Sequence, residues 1–381
     1  MFRSERVRNV LYQVLLLAAV VGVGWYLVSN TVHNLEARNI QSGFGFLGRE
    51  AGFEIAEKHV FGYEPSDSYS RALLIGIVNT LIVAVIGVVV ATVLGTLIGI
   101  ARLSSNWLLA KLASAYVEVM RNVPLLLQLF VWYGLFTELL PPVREALDLG
   151  GLAFASQRGF RFAWPADHPA WTAVAWAIPP GVAAALAWRA RALAVQRATG
   201  RPPRVGLPVL GLVLGVPAIA WLAFGAPTEI EVPELAGFDF EGGVVLTPEF
   251  TALMIGLSTY TAAFIAEVVR AGILAVDRGQ GEAAMALGLT PGQRLRLVTL
   301  PQALRVIIPP MTSQYLNLTK NSSLAVAIGY PDLVSVANTT MNQTGQAIEA
   351  IAILMAVYLI ISLAISMFMN WYNDRVRLVE R

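Results

Sequence analysis

The sequence predicts an all-α membrane protein with about eight transmembrane helices. Three observations carry that fold class. Of the 381 residues, 56% are hydrophobic and only 14% charged, where an ordinary soluble domain holds about 25% charged residues. The charges are unevenly spread, and long stretches hold none, as a bilayer requires because a charge at its centre costs several kcal/mol. Those stretches also have the right length, since a helix needs about 20 apolar residues to cross the hydrocarbon layer.

Taken in order, the candidate spans are 10–31, 71–101, 112–140, 170–190, 206–226, 251–275, 304–328 and 347–370. The first follows Arg3, Arg6 and Arg8, as a secretory signal would. Its apolar run from Val10 to Val28 outlasts a signal core, however, and no small-x-small cleavage site closely follows. It reads as an uncleaved anchor. Pro179-Pro180 interrupts the fourth span, and Pro208 and Pro217 the fifth; prolines are tolerated in membrane helices whose neighbours re-satisfy the freed backbone.

Basic residues in the loops set the orientation. With the N-terminus inside, cytoplasmic segments hold eighteen of the 27 Lys and Arg, including Arg102, Lys111, Arg121, Arg278 and Arg294, and outside segments hold seven. The 226–250 loop has no basic residue and six acidic ones, from Glu229 to Glu249. Dropping either proline-bearing span would invert everything downstream. Eight spans with both termini cytoplasmic is the consistent arrangement.

Several chemistries find no support. The chain has no cysteine, so it offers neither disulfide nor thiolate metal site. Its lysines, Lys58, Lys111 and Lys320, follow Glu57, Ala110 and Thr319, so none sits in the Gly-Lys-Ser/Thr setting of a P-loop. His33, His59 and His168 are scattered without metal-ligand spacing, and no Gly-x-Ser-x-Gly occurs. The expectation is a non-catalytic chain with no metal site.

The most informative segment runs from Asp277 to Pro301. Glu282 to Leu287 reads as a short strong helix, with its acid in the first turn complementing the helix dipole and Gly288 suited to the C-terminal cap. Thr290 and Pro291 then open a second helix, as N-cap and first helical residue. Pro301 marks a break before the next span. A compact, amphipathic helix-turn-helix on the cytoplasmic face is expected; an ordinary ordered loop is the plainer alternative.

Glu282-Ala283-Ala284, then Gly288, Val298 and Leu300-Pro301 resemble the signature loop of binding-protein-dependent ABC importer permeases, which usually carry Ile where Val298 stands. Arg121-Asn122-Val123-Pro124-Leu125-Leu126-Leu127-Gln128, the stretch Tyr260 to Ile273, and Lys320-Asn321-Ser322-Ser323-Leu324 are similar to the polar amino-acid branch of that family, the histidine, glutamate and glutamine type. The likeness covers about 71–140 and 251–370, the five-helix type I core of the branch. The remainder resembles the enlarged permease of general L-amino-acid import systems. On that likeness the chain divides into an anchor and periplasmic segment at 1–70, a transmembrane domain at 71–370 interrupted by a 141–250 insertion with two extra spans, and a cytoplasmic tail at 371–381.

The resemblance implies a place in the bacterial inner membrane and a set of partners. These are a second homologous permease, two ATPase subunits that bind the ATP and Mg, a periplasmic binding protein and membrane lipid; no nucleic acid is among them. It also implies that the 277–301 loop docks in the ATPase, with Glu282, Ala283, Ala284, Gly288, Leu300 and Pro301 as its key positions. Ala283 and Ala284 would permit close approach. Glu282 either contacts the ATPase or only complements its own helix.

Polar residues inside spans are functional candidates, because each costs free energy in lipid unless it faces a partner or a water-filled path. Gln314, Asn317 and Lys320 are spaced to share one face of the seventh span, and with Asn79 and Gln128 they are candidates for a substrate path; packing between spans is the alternative. Glu267 and Arg270, three apart, are expected to form a structural ion pair. Arg121 sits near the inner interface, where it could snorkel. The outside loops at 32–70 and 226–250 are rich in acids and would attract a partner with basic docking patches. A permease for another small polar solute, or a secondary transporter, are the rival readings; the latter has no need of the Glu282 loop.

Overall fold

A computed structural model describes residues 5–37, 42–58, 62–200, 203 and 205–376. Part of the expected orientation rests on Arg3, Arg38, Arg201, Arg204, Arg377 and Arg381, which, with His59, lie outside the described residues. The chain packs into two compact units, Met1–Tyr133 with Glu249–Arg381, and Gly134–Pro248.

Helix α1 (Glu5–Ala37) exposes its apolar side chains from Leu11 to Val28, as an anchor surrounded by lipid would. Helix α2 (Tyr69–Ala101) is 33 residues long and buries a stripe of small residues, including Gly76, Ala91, Gly95 and Gly99. A Cβ built on Gly95 would lie 2.6 Å from Ile265, and one on Gly99 would lie 2.7 Å from the Ala266 carbonyl. Small residues four apart let membrane helices approach backbone to backbone. Helix α3 (Trp107–Asn122) is capped by Asn106, whose side chain accepts from the Leu108 and Leu109 amides at 3.0 and 3.2 Å. Val123-Pro124 then ends it, and α4 (Leu125–Gly134) leaves at 104°. The Gln128 amide straps this bend by donating to the Met120 and Val123 carbonyls, each at 3.0 Å.

The second unit pairs a helical hairpin with short strands. Strands β1 (Leu147–Asp148), β2 (Ala153–Ser156), β3 (Gly159–Phe162) and β4 (Trp164–Pro165) precede α5 (Pro169–Thr199) and α6 (Gly206–Ala223). Strands β5 (Ile230–Glu231), β6 (Glu234–Ala236), β7 (Asp239–Glu241) and β8 (Val244–Leu246) follow. The sheet runs β1-β2-β3-β8, all antiparallel, with β4-β5 and β6-β7 as separate pairs. His168 caps α5, its Nδ1 accepting from the Ala170 amide at 3.1 Å. Pro179 and Pro180 lie inside a continuous helix, where Gly181 lets the Leu212 carbonyl of α6 approach closely.

Back in the first unit come α7 (Pro248–Leu274), α8 (Arg278–Ala286), α9 (Pro291–Arg294), α10 (Leu300–Asn321), α11 (Leu333–Thr344) and α12 (Ala347–Val376). The segment before α2 is part of the core: Phe46, Ile55 and Tyr63 pack with Tyr69, Leu73 and Ile75 of α2 and Leu333 and Val336 of α11. Polar bonds reinforce that junction. The Asn79 side chain donates to the Glu57 and Pro331 carbonyls, both at 2.9 Å, Thr80 Oγ1 accepts from the Leu333 amide at 3.1 Å, and Gly43 N donates to Glu349 at 2.5 Å.

Among the described residues, six helices are long and apolar enough to cross a membrane, or seven if the bent α3–α4 stretch counts as one span. The expected total of eight is not reached. The missing span is α10, whose 22 residues carry Gln302, Arg305, Gln314, Asn317 and Lys320 and are too polar to pass on composition.

Candidate functional site

The 277–301 loop forms its own capped structure. Asp277 starts α8, its Oδ1 accepting from the Gly279 amide at 2.7 Å. The helix therefore begins four residues before Glu282, and that acid sits mid-helix and exposed, not in the first turn. The expected role of Glu282 in complementing its own helix end is thereby corrected: the signal missed was Asp277, a stronger N-cap than any acid inside the helix. At the other end Gly288 takes φ +74°, its amide donates to Met285 O at 2.9 Å, and the Leu289 amide donates to Ala284 O at 3.1 Å. This is the Schellman arrangement that satisfies a helix's last carbonyls.

Thr290 then caps α9 reciprocally with Gln293, and Pro291 holds its first position. No break follows. A π-helical turn at Leu295–Thr299 carries the chain directly into α10, with Pro301 in its first turn. Pro301 has no amide to place in that ladder, and it falls where the π turn gives way to the α-helix. Gln302 ties the pieces together, its amide donating to the Val298 carbonyl at 3.2 Å and to Gln280 at 3.4 Å. Ala284 is buried, while Glu282, Ala283 and Met285 are exposed and Leu287 is 82% exposed. An exposed leucine at the tip of a rigid capped helix is a contact without a partner in this chain.

The ends of α2 and α7 that flank this loop are clamped by charge. Arg270 donates to Glu267 at 2.6 Å, and Arg102, from the end of α2, pairs with the same carboxylate. Arg102 also reaches Ser114 of α3 at 3.4 Å. Sequence reading found the Glu267–Arg270 spacing but left Arg102 among the loop charges, since nothing local marks a partner 165 residues away.

Within the first unit, Tyr260, Thr261 and Phe264 of α7 and Gln314, Asn317 and Asn321 of α10 line a cavity of about 390 Å³. Its lining is neutral and rich in amides and hydroxyls. Gln314 and Asn317 are brought together here, but Lys320 lies elsewhere, lining a separate cavity with Ser323 and Tyr358. Steps of three residues lag a helix turn by about 60° each, so Asn321 rather than Lys320 completes the stripe. Asn79 and Gln128 line neither; both spend their amides on backbone carbonyls, as described above. The α7 residues Tyr260, Thr261 and Phe264 were missed as lining, because aromatic and hydroxyl side chains in a span look like ordinary packing.

Residues 91–378 match the family model described as binding-protein-dependent transport system inner membrane component. The chain is similar to the general L-amino acid transport system permease protein AapQ of Rhizobium johnstonii, at 48% identity over all of this chain and 96% of that one. It is also similar to the glutamate/glutamine/aspartate/asparagine transport system permease protein BztB of Rhodobacter capsulatus, at 43% over 99% of this chain and 96% of the other. Among solved structures it is similar to an amino acid ABC transporter crystallised with histidines, at 21% identity and a TM-score of 0.47, covering 81% of this chain and 95% of that one.

Proposed function

The chain belongs to the family of binding-protein-dependent transport system inner membrane components, and from that premise we propose that it is the membrane-spanning permease subunit of an ATP-driven importer of L-amino acids. The observation that carries the reading is α8: a short helix, capped at both ends and exposing Leu287, held between α7 and α10. Such a body transmits a push from a partner to the two helices that line the polar cavity. We take that partner to be an ATPase subunit, which supplies the ATP and Mg chemistry; this chain is the moving path and catalyses nothing. A second permease, a second ATPase and a periplasmic binding protein complete the machine, and both termini lie in the cytoplasm.

In this account Glu282, Ala283, Ala284, Gly288, Leu300 and Pro301 form the coupling element. The clamp of Arg102, Glu267 and Arg270 keeps α2 and α7 aligned beside it. Gln314, Asn317 and Asn321 offer amide donors and acceptors that replace the water shell of a zwitterion. The acidic loops at 32–70 and 226–250 attract the binding protein. The 1–70 anchor segment and the 141–250 insertion enlarge a five-helix core within 71–370, and 371–381 is a tail.

The test is ATP hydrolysis by the purified permease–ATPase complex in liposomes, stimulated by loaded binding protein with a panel of L-amino acids. Stimulation by several polar L-amino acids, abolished when residues 279–288 are deleted while the complex still co-purifies, is the expected result. Stimulation by sugars or peptides alone would overturn the cargo, and full uptake without the loop would overturn the coupling.

A further inference from the structure

Arg121 stands at the last turn of α3, exposed in this chain and beside one residue of the cavity wall, Phe264. Its guanidinium lies 5.1 Å from the centroid of the Phe264 ring, and among the described residues it makes no hydrogen bond and no ion pair. Its position is fixed by its surroundings. Tyr116, one and a half turns earlier, donates its hydroxyl to the Thr259 carbonyl of α7 at 2.7 Å, Val117 packs against Ala263 and Ala266, and Gln128 straps the bend just beyond. Phe264 itself lines the cavity and stacks at a tilt with Tyr260, their centroids 5.0 Å apart.

An arginine that meets only an aromatic face within this chain keeps its five N–H donors open to a ligand. The cavity beside it supplies amides and hydroxyls but no charged side chain, so half of a zwitterion's needs are unmet there. Amide carbonyls satisfy an ammonium group; a carboxylate is held best by a planar guanidinium fork.

We propose that Arg121, carried on the Phe264 ring, is the group that recognises the α-carboxylate of the amino acid in the Gln314–Asn317–Asn321 cavity. The assignment rests on the reading of this chain as an amino-acid permease. It makes the cavity selective for the backbone of the cargo and indifferent to the charge of its side chain. Lys320, on α10, opens on a different cavity and plays no part.

The test compares binding of radiolabelled L-glutamine and its α-amide, in which the carboxylate is neutral, to the purified permease–ATPase complex without binding protein. The native complex is expected to prefer the acid by about tenfold or more, the worth of a charge-assisted hydrogen bond. Arg121→Gln should lose that preference, Arg121→Lys should keep part of it, and Phe264→Leu, which leaves the charge in place but removes its support, should weaken it. Co-purification with the ATPase at the native ratio verifies that each variant has assembled. An undiminished preference in an assembled Arg121→Gln complex would overturn the role of Arg121 alone. Failure of the native complex to bind any L-amino acid, with uptake also absent, would overturn the cargo reading and this assignment with it.

Discussion

Two ends of the first unit hold their shape by opposite means. The segment before α2 is irregular, yet Phe46, Ile55 and Tyr63 are at most 2% exposed, packed against α2 and α11. The loop between α7 and α10 is regular, yet its α8 exposes Leu287 and Met285 and is held by caps that involve only its own residues. The first is stabilised by burial between elements far apart in sequence, the second by local backbone chemistry. A surface built by burial resists movement, because any shift opens a cavity or unpairs a buried polar group. A surface built from caps moves as one piece without losing its internal bonds. On the proposed reading, one end is fixed architecture and the other transmits.

The largest effect should come from breaking the buried junction. Phe46→Ala removes a ring in contact with Tyr69 at a centroid distance of 5.9 Å and should cost about 3–5 kcal/mol, read as a lower unfolding temperature of the detergent-solubilised chain. Leu287→Ala, at the exposed tip, should move that temperature little, since surface changes lie within about 0.5 kcal/mol, and should instead lower the ATPase rate of the complex. Equal destabilisation by both would erase the contrast between the two ends.

A second prediction sharpens it with pH. Asp332 lies outside the spans, caps α11 by accepting from the Ser335 amide at 2.8 Å, and is 1% exposed. Burial pushes its carboxyl up to about 7, against the opposing hydrogen bonds from the Ser335 and Val334 amides. The folded state therefore favours the protonated acid. Its stabilising contribution is complete at pH values below the ordinary carboxylate range and is lost as pH rises towards 7. Unfolding temperature should fall between about pH 4 and 7 and level off above, and Asp332→Asn, which keeps the capping carbonyl, should flatten that slope. An unchanged slope would remove Asp332 as its source.

A smaller effect is expected at Gly288. Its positive φ suits glycine, and a β-branched residue there costs about 1–2 kcal/mol. Gly288→Val should unwind the end of α8 and reduce substrate-stimulated ATP hydrolysis while global unfolding stays close to native. A variant with native stimulation would show that the Schellman end is dispensable.

The same contrast explains what the sequence made legible. Thr290, Pro291 and Gly288 announced their caps because capping is chemistry among neighbours. The start of α8 is misplaced when Glu282 is taken as a first-turn acid and Asp277 is passed over as the cap. By contrast, nothing local tells that Asn79 bonds Pro331, that Arg102 meets Glu267, or that residues near Phe46 are core. Polar residues in spans carry one signal for two uses. Asn79 and Gln128 satisfy stranded carbonyls, whereas Gln314 and Asn317 face a cavity, and only packing separates the cases. The polarity of α10 that makes it a candidate path is also what hides it among the spans.

The central claim, that α8 is the contact through which a partner's ATP cycle reaches the spans, has a direct test because the chain has no cysteine. A single thiol introduced as Leu287→Cys, in complex with an ATPase subunit carrying one thiol in its membrane-facing groove, reports contact without background. Phe44→Cys, 55% exposed at the other end of the first unit, serves as the control. A cross-link from position 287 whose yield changes on adding ATP, and none from position 44, is the expected result. A reactive thiol at 287 that never cross-links in a transporting complex would contradict it.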